Sequence, residues 1–354
     1  MITHGFVLDG VTGTPYSKSD IAKAKAEGKK INYVEPDEVI KKSGAEMFRL
    51  WVASTEFRSD IPYSQTALYG NDNKGGLAEW YRKLRNTARF LLGNLKDFDP
   101  NKYARSAVTL GVDRYVLARL DDVITRARKA YEAYELHVVH RLLVELVTID
   151  LSALYGDVTK DRLYSDAVDS PERRAAQIVM YEALRAIATL SAPILSFTAE
   201  DIWMYMPKRA GDPDSVHLAA FPDAKIEPKA GEVIAEFAVL LGWRERVTKA
   251  IEPFRAAVGE ARKQGLVATF KSVDAAVVLH PTADDVAVLA KYRAELADLF
   301  IVSDVTIGAE GESTVEVTEH TGPRCERCWK HFAALAADPP DVCERCATAL
   351  AGRK

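Results

Sequence analysis

"LGVDRYVLARLDDVITRARKAYEAYELHVVHRLLVELVTIDLSALYGDVTKDRLY", residues 110–164, runs for more than about ten helical turns with almost no helix breaker. Its apolar residues recur at i, i+3, i+4 and i+7, the spacing of one buried helix face. The stretch predicts a long bundle helix or two stacked helices, and its neighbours follow the same period. Upstream, Leu77, Trp80, Leu84, Ala88, Leu91, Leu92 and Leu95 fall at helical spacing. Before them, "EPDEVIKKSGAEMFRLWVAS" (35–54) reads as a helix, with Pro36 in its first turn and Asp37 and Glu38 at the positive end of the dipole. Downstream, "SPERRAAQIVMYEALRAIATLSAPILSFTAEDIWMYMP" (170–207) supplies two more, with Ser170 as N-cap before Pro171 and Pro193 as the break between them. Four or more such helices make a bundle.

Outside this region the period changes. Up to about Tyr33 the chain is rich in Gly, Thr, Ser and Lys and reads as a loop, and "GNDNKGG" (70–76) reads as a turn. Between Pro222 and Gly231, Pro and Gly interrupt the pattern, marking a domain boundary. A charged helix from Val233 to Gln264 follows, then strands at "VDAAVVLH" (273–280), "FIVSDVTIG" (300–308) and "STVEVTEH" (313–320), with a helix at "DDVAVLAKYRAELADL" (284–299). The expected fold class is therefore mainly α: a helical bundle followed by a small α+β C-terminal region with a cysteine module.

Composition bounds the function. With 354 residues, 48% apolar and 28% charged, the chain has material for two or three cores. It lacks an apolar run of the ~20 residues that span a bilayer, and "MITHGFVLDG" has no signal-peptide pattern. A soluble cytoplasmic protein is expected. The net charge of −4 argues against a uniformly basic coat, so any RNA contact would use local patches.

All four cysteines sit near the C-terminus. Cys325 and Cys328 form one C-x2-C, Cys343 and Cys346 a second, with fourteen residues between the pairs. In a reducing compartment this spacing presents four thiolates tetrahedrally to one Zn²⁺, a closed and hence structural site. Arg324, Arg327, Lys330 and Arg345 alternate with the ligands and are expected to offset the negative charge. With the ligand set complete, His331 reads as a surface residue. Trp329 reads either as a packing lid on the knuckle or as a base-stacking platform, packing being favoured.

Two further stretches carry chemistry. Ser17, Lys18 and Ser19 lie in the Gly- and Thr-rich segment, where a loop lysine can meet a phosphate, the favoured alternative on these residues alone being solvated surface. In "WYRKLRNTARFLLGNL" (80–95), Arg82, Arg85 and Arg89 stack opposite the leucine stripe with Asn86 beside them. Such a ridge suits a phosphate backbone with an occasional base edge, the alternative being a solvated helix face. Asp121, Asp122 and Glu132 are candidate structural partners for arginines.

In order, "THGFVLDG" (3–10), "SKS" (17–19), "DEVIKKSGAEMFRLWVAS" (37–54), "RKLRNTARFLLGNL" (82–95), "SPERRAAQ" (170–177), "LSAPILSFTAEDIW" (190–203), "SVHLAAFP" (215–222), "CERCW" (325–329) and "CERC" (343–346) resemble the C-terminal part of bacterial isoleucyl-tRNA synthetase. The resemblance covers essentially the whole chain. It implies a remnant of the catalytic signature loop at 1–35, an anticodon-binding helical bundle at 36–225, an α+β region at 226–318 and a zinc-finger module at 319–354. Arg82, Arg85, Asn86, Arg89 and Trp329 are then expected to touch isoleucine tRNA, and the four cysteines to hold zinc.

In the family, a KMSKS loop closes on ATP. The matching positions are Pro15, Tyr16, Ser17, Lys18 and Ser19, without the first lysine and the methionine, and the following link "DIAKAKAEGKKINYV" (20–34) is longer. The HIGH motif, amino-acid pocket and editing domain would precede Met1; no G-x-G-x-x-G replaces them, and His4 alone does not do that work. ATP is therefore expected only in the complete enzyme, and this chain alone is expected not to activate isoleucine. A separately encoded catalytic half is a second expected partner; DNA and membranes are not. The alternatives are a stand-alone zinc RNA-binding protein acting in trans, or a non-functional fragment. A zinc-fingered DNA glycosylase would need a catalytic N-terminal amine next to an acidic residue, which "MITHGF" lacks.

Overall fold

A computed structural model describes residues 5–10, 13–28, 36–63, 65–71, 75–225, 227–263 and 270–352. Gln264, His4, residues 29–34 of the 20–34 link and the middle of the 70–76 turn lie outside them. The chain is 61% helical with small sheets, mainly α as expected. In chain order the elements are β1 (Val7–Asp9), α1 (Lys18–Ala26), α2 (Pro36–Ser43), α3 (Ala45–Ser54), β2 (Ile61–Tyr63), α4 (Gln65–Tyr69) and α5 (Gly76–Asn94). Then come α6 (Gly111–Glu132), α7 (Leu136–Glu145), α8 (Gly156–Val158), α9 (Lys160–Ser165), α10 (Pro171–Ser191), α11 (Ser196–Tyr205) and α12 (Ala230–Lys263). The last are β3 (Ala275–His280), α13 (Ala283–Lys291), α14 (Leu296–Phe300), β4 (Asp304–Ile307), β5 (Thr314–Glu319) and α15 (Glu344–Ala351). No described helix is long and apolar enough to cross a membrane.

The stretch 110–164 is broken after α6 at Tyr134, whose φ of 56° ends the helix; α7 then continues as a π-helical segment, Leu146–Tyr155. Three sequence expectations are corrected. The single helix expected at 35–54 is two, α2 and α3, parted at Gly44 with φ 83°. The supposed N-terminal loop contains β1, paired in parallel with β2, and α1. The helix expected at 284–299 is α13 and α14 joined by a 3₁₀ turn.

The chain forms two compact units. The first comprises Met1–Asn101, Leu120–Ser152 and Met180–Lys225. Its core includes Leu50 and Trp51 of α3, Leu84 and Leu91 of α5, Leu142 and Leu143 of α7, Leu184 of α10 and Trp203 of α11, all buried. The start of α11 has no local side-chain cap. Instead the buried Glu46 carboxylate on α3 accepts from Phe197 N (2.8 Å), Thr198 N (2.9 Å), Thr198 Oγ1 (2.6 Å) and Tyr81 OH (2.8 Å). An anion satisfying the orphan N–H groups fixes α11 beside α5.

Also in this unit, His140 packs edge-on against Trp80, with centroids 4.8 Å apart. Burial, with Arg141 adding, holds its imidazole down at about 4. The unfolded chain takes up this proton near the ordinary 6.5 and the folded chain only near 4, so stability falls as pH falls through that window. The loss should be on the order of 2 kcal/mol once partial exposure is allowed for. Urea unfolding at pH 7 and 4.5 should show it in the native chain and a flatter dependence in His140→Phe.

The second unit comprises Lys102–Arg119, Ala153–Val179 and Ile226–Lys354. Its three-stranded sheet has the order β4-β3-β5, with β3 parallel to β4 and antiparallel to β5, Val277 facing both Val305 and Val317. Along β3, Ala275, Val277 and Leu279 are buried in alternation, the signature of one covered face. The core continues through Phe237, Leu240 and Trp243 of α12; Phe237 stacks on Tyr115 at 4.8 Å and meets Tyr292 edge-on at 5.4 Å. Gly111 allows the approach of Tyr292, whose Cε1 would lie 2.2 Å from a Cβ there. The Glu295 carboxylate accepts from Gly111 N at 2.9 and 3.0 Å, capping α6 as Glu46 caps α11. Beneath it, Arg162 Nη1 donates to Asp113 Oδ2 at 2.9 Å, Arg162 Nη2 to Asp113 Oδ1, and Tyr155 OH to the same Oδ1 at 2.8 Å. Burial alone would lower the Arg162 pKa; the adjacent Asp113 carboxylate outweighs it and raises it above the usual range.

Candidate functional site

The four cysteines of the second unit converge: their Sγ atoms all lie within 4.8 Å of one another, and Cys328 Sγ is 3.9 Å from Cys343 Sγ. A tetrahedron with metal–sulfur bonds of about 2.3 Å has S···S edges of about 3.8 Å, whereas a disulfide needs about 2.0 Å. Cys325, Cys343 and Cys346 are buried and Cys328 partly so. Backbone N–H groups of Cys328 (3.5 Å) and Cys343 (3.3 Å) point at Cys325 Sγ, stabilising a thiolate there. The donor set fits a metal, and the group can hold one ion. Val342, Phe332, Leu335 and Leu350 give the module only a small core of their own.

The cations expected to offset the thiolates have other principal partners within the unit. Arg345 grips Asp161 of α9 at 2.7 and 2.8 Å and Asp166 at 3.2 Å; Lys330 meets Asp298 and, at 3.4 Å, Asp161; Arg327 donates to the carbonyls of Ser165 and Tyr164. They bolt the module to α9 and α14. His331 is not a surface residue: its ring is held between Gly322 O (2.8 Å) and Asp274 Oδ1 (3.1 Å), with its side chain 15% exposed. Trp329 is no packing lid. It is 51% exposed, at a φ of 67°, with Lys271 Nζ 4.4 Å and Arg324 Cζ 5.8 Å from its ring. A β-carbon-bearing residue in the left-handed region is strained, and the knuckle turn that imposes the strain turns the indole outward.

In the first unit, α5 presents Arg82, Arg85, Asn86 and Arg89 to solvent, while Trp80, Leu84, Ala88 and Leu91 are buried. Arg89 Nη2 donates to Asn86 Oδ1 at 3.3 Å, and Arg85 lies 5.7 Å from the Tyr81 ring. Of the acids expected to partner arginines structurally, Asp122 pairs with Arg126 at 3.1 Å, and Asp121 accepts from Lys225 N at 3.2 Å. Arg85, Asn86 and Arg89 line a groove of about 200 Å³ shared with Asp201 and Tyr205 of α11; Arg82 lies outside it. Beside it, Phe197 (71%), Met204 (59%) and Tyr205 (73%) are exposed on α11. These residues were missed in the sequence, where apolar and polar side chains are mixed around α11 and do not mark which face is covered.

Ser17, Lys18 and Ser19 form a helix start rather than a loop. Ser17 N-caps α1: its Oγ accepts from Asp20 N at 3.2 Å, and Ser17 N donates to Asp20 Oδ2 at 2.9 Å. Ser19 Oγ is 2.7 Å from Ser17 Oγ. The Ser17 side-chain and backbone bonds hold the Asp20 carboxyl below its usual range. The Asp20 carboxylate thereby takes the N–H of the N-cap residue, and Lys18 is exposed beside it.

Residues 113–270 match the family model of the anticodon-binding domain of tRNA ligase. Over 99% of its length the chain is 39% identical to the isoleucine–tRNA ligase of Geobacter sulfurreducens. Over its full length it is 40% identical to that of Thermotoga maritima. It covers 36% and 37% of these two relatives, just over a third of the length of the curated proteins it matches. Among solved structures, a LeuRS–tRNA ternary complex from Agrobacterium radiobacter is similar at a TM-score of 0.45 and 13% identity, over 90% of this chain and 33% of that one. The resemblance to the C-terminal part of the isoleucine–tRNA ligases is thus borne out along the whole chain.

Proposed function

We propose that this chain is the tRNA-holding portion of an isoleucine–tRNA ligase, acting in the cytoplasm on isoleucine tRNA, with a catalytic half as the partner that carries out ATP-dependent aminoacylation. The observation that carries the reading is the likeness to isoleucine–tRNA ligases over essentially the whole chain. The geometry supports it with an exposed cationic face on α5 whose opposite face is core. Arg82, Arg85 and Arg89 hold phosphates, and Asn86 meets a base edge. Trp329, turned outward between two cations, stacks on a base. The four cysteines hold one Zn²⁺, which supplies only a fixed tetrahedral anchor when bound; Arg345, Lys330 and Arg327 transmit that anchoring to α9 and α14. The division into 36–225 for the anticodon and 319–354 for zinc belongs to this proposal.

Filter binding with isoleucine tRNA and a non-cognate tRNA at two salt concentrations tests it. Arg85→Ala should weaken binding to both and lower the salt slope by roughly one. Trp329→Ala should lose about 1–3 kcal/mol and reduce discrimination between the two tRNAs. Weak, salt-insensitive binding that is the same for native protein and Arg85→Ala would leave the ridge as solvated surface.

A further inference from the structure

A cavity of about 520 Å³ lies wholly within the second unit. That volume falls in the ~300–1,000 Å³ range of small-molecule sites. Val112, Val158, Phe237, Leu240 and Leu299 give it apolar walls, and the exposed Glu172 and Ala294 mark its mouth. None of the four cysteines and none of the α5 arginines lines it.

The polar lining is lopsided. The carboxylates of Asp161, Asp166, Glu172, Glu295 and Asp298 share the cavity with two guanidinium groups, those of Arg162 and Arg345. Arg162 is already committed to Asp113, at 2.9 Å. Arg345 holds Asp161 at 2.7 and 2.8 Å, and Lys330 pairs with Asp161 and Asp298. Glu295 is taken up by Gly111 N at 2.9 and 3.0 Å. Two acids remain. Asp166 is only 9% exposed, yet its Oδ1 makes no hydrogen bond and has Arg345 Nη1 at 3.2 Å as an ion contact. Glu172 has no hydrogen-bond or ion-pair partner among the described residues. Burial pushes the Asp166 carboxyl up to about 6 despite Arg345, and Asp161 and Glu172 add to the shift. Among the described residues only the four cysteines converge closely enough to hold a bare metal ion, so these carboxylates suit a larger cation.

We infer that this cavity binds a small organic cation, an amidinium or primary ammonium group on an apolar body: the body lies against Phe237, Leu240 and Leu299, and the N–H groups donate to Asp166 and Glu172. Such a ligand brings apolar surface for the walls together with the charge that the buried carboxylate lacks. An anion would meet surplus negative charge with every lining cation already paired. Thr348 and Ala349 of α15 line the same cavity, so an occupant also ties the cysteine module to α12. The site does not depend on the tRNA-binding reading.

Isothermal titration of the full chain, purified without chelator, tests it with benzamidine, its neutral isostere benzamide and the anion benzoate. Benzamidine should bind at least about tenfold more tightly than benzamide, the difference a charge-assisted pair supplies in a sheltered site, and benzoate should not bind. Asp166→Asn should lower benzamidine affinity about tenfold and leave benzamide unchanged. Glu172→Gln, at an exposed position where the fold does not depend on the side chain, should lower it about threefold. Equal binding of benzamidine and benzamide, or of benzamidine and benzoate, overturns the cation site. So does benzamidine affinity unchanged in both variants, or no benzamidine binding up to about 10 mM, the weak end for so small a probe. Each of these outcomes leaves tRNA binding, measured separately by filter binding, as it stands.

Discussion

Chelation with excess EDTA is expected to unfold the segment from about Gly322 to Gly352 while leaving the α3–α5–α11 core of the first unit folded. The module buries little beyond the cysteines themselves, so a metal held by them would supply most of its order. Structural zinc contributes on the order of 10 kcal/mol to such modules, far more than the few apolar contacts of Val342, Phe332 and Leu350. Loss should spread to the Arg345–Asp161 and Lys330–Asp298 pairs, which depend on the knuckle holding those cations in place. Hydrogen exchange should report it as lost protection in α15 and around Trp329, with retained protection in α5. Cys325→Ser and Cys343→Ser should each reproduce the chelated state, Cys325→Ser the more completely, since Cys325 Sγ also receives two backbone N–H groups. Elemental analysis finding no zinc in protein purified without chelator would sink the metal reading outright.

Asp113→Ala is expected to destabilise the second unit by about 3–5 kcal/mol, because it strands a guanidinium in the interior. Arg162 is 8% exposed and Asp113 0%, and the pair is completed by Tyr155 OH, so water has little access to either charge. The double substitution Asp113→Leu with Arg162→Met should recover most of the loss, since burying two apolar side chains avoids the desolvation that the pair must overcome. Urea unfolding followed by far-UV circular dichroism measures both. A double variant no better than Asp113→Ala would mean that the hydrogen-bonded network, rather than charge burial, holds α9 against the start of α6.

The sequence revealed most where structure is local. The α5 stripe, the Ser170–Pro171 helix start and the C-x2-C pairs each rest on neighbours a few residues apart, and each lies where the spacing puts it. Ser17 was misread for want of one step: Asp20, three residues on, completes a capping box that turns a supposed loop into a helix start. Gly44 was visible, but a lone glycine inside an apolar period does not announce a positive φ. Other features have no local signal. His331 is fixed by Asp274, 57 residues away, and nothing near His331 in the chain predicts that partner. Tyr205 and Asp201 escaped notice because exposure of one face of α11 is decided by which neighbours cover the others.

The two remote carboxylates that cap α11 and α6, Glu46 of α3 and Glu295 of the 3₁₀ turn before α14, also bear on the order of folding. They are 151 and 184 residues from the N–H groups they receive. Neither helix can complete its first turn until distant segments have met, and loop closure over such spans must precede the reward. Glu46→Gln and Glu295→Gln should therefore leave the refolding rate nearly unchanged and quicken unfolding, the pattern of contacts made after the rate-limiting barrier. These two acids would act as latches, governing how long the native chain survives rather than how fast it arrives.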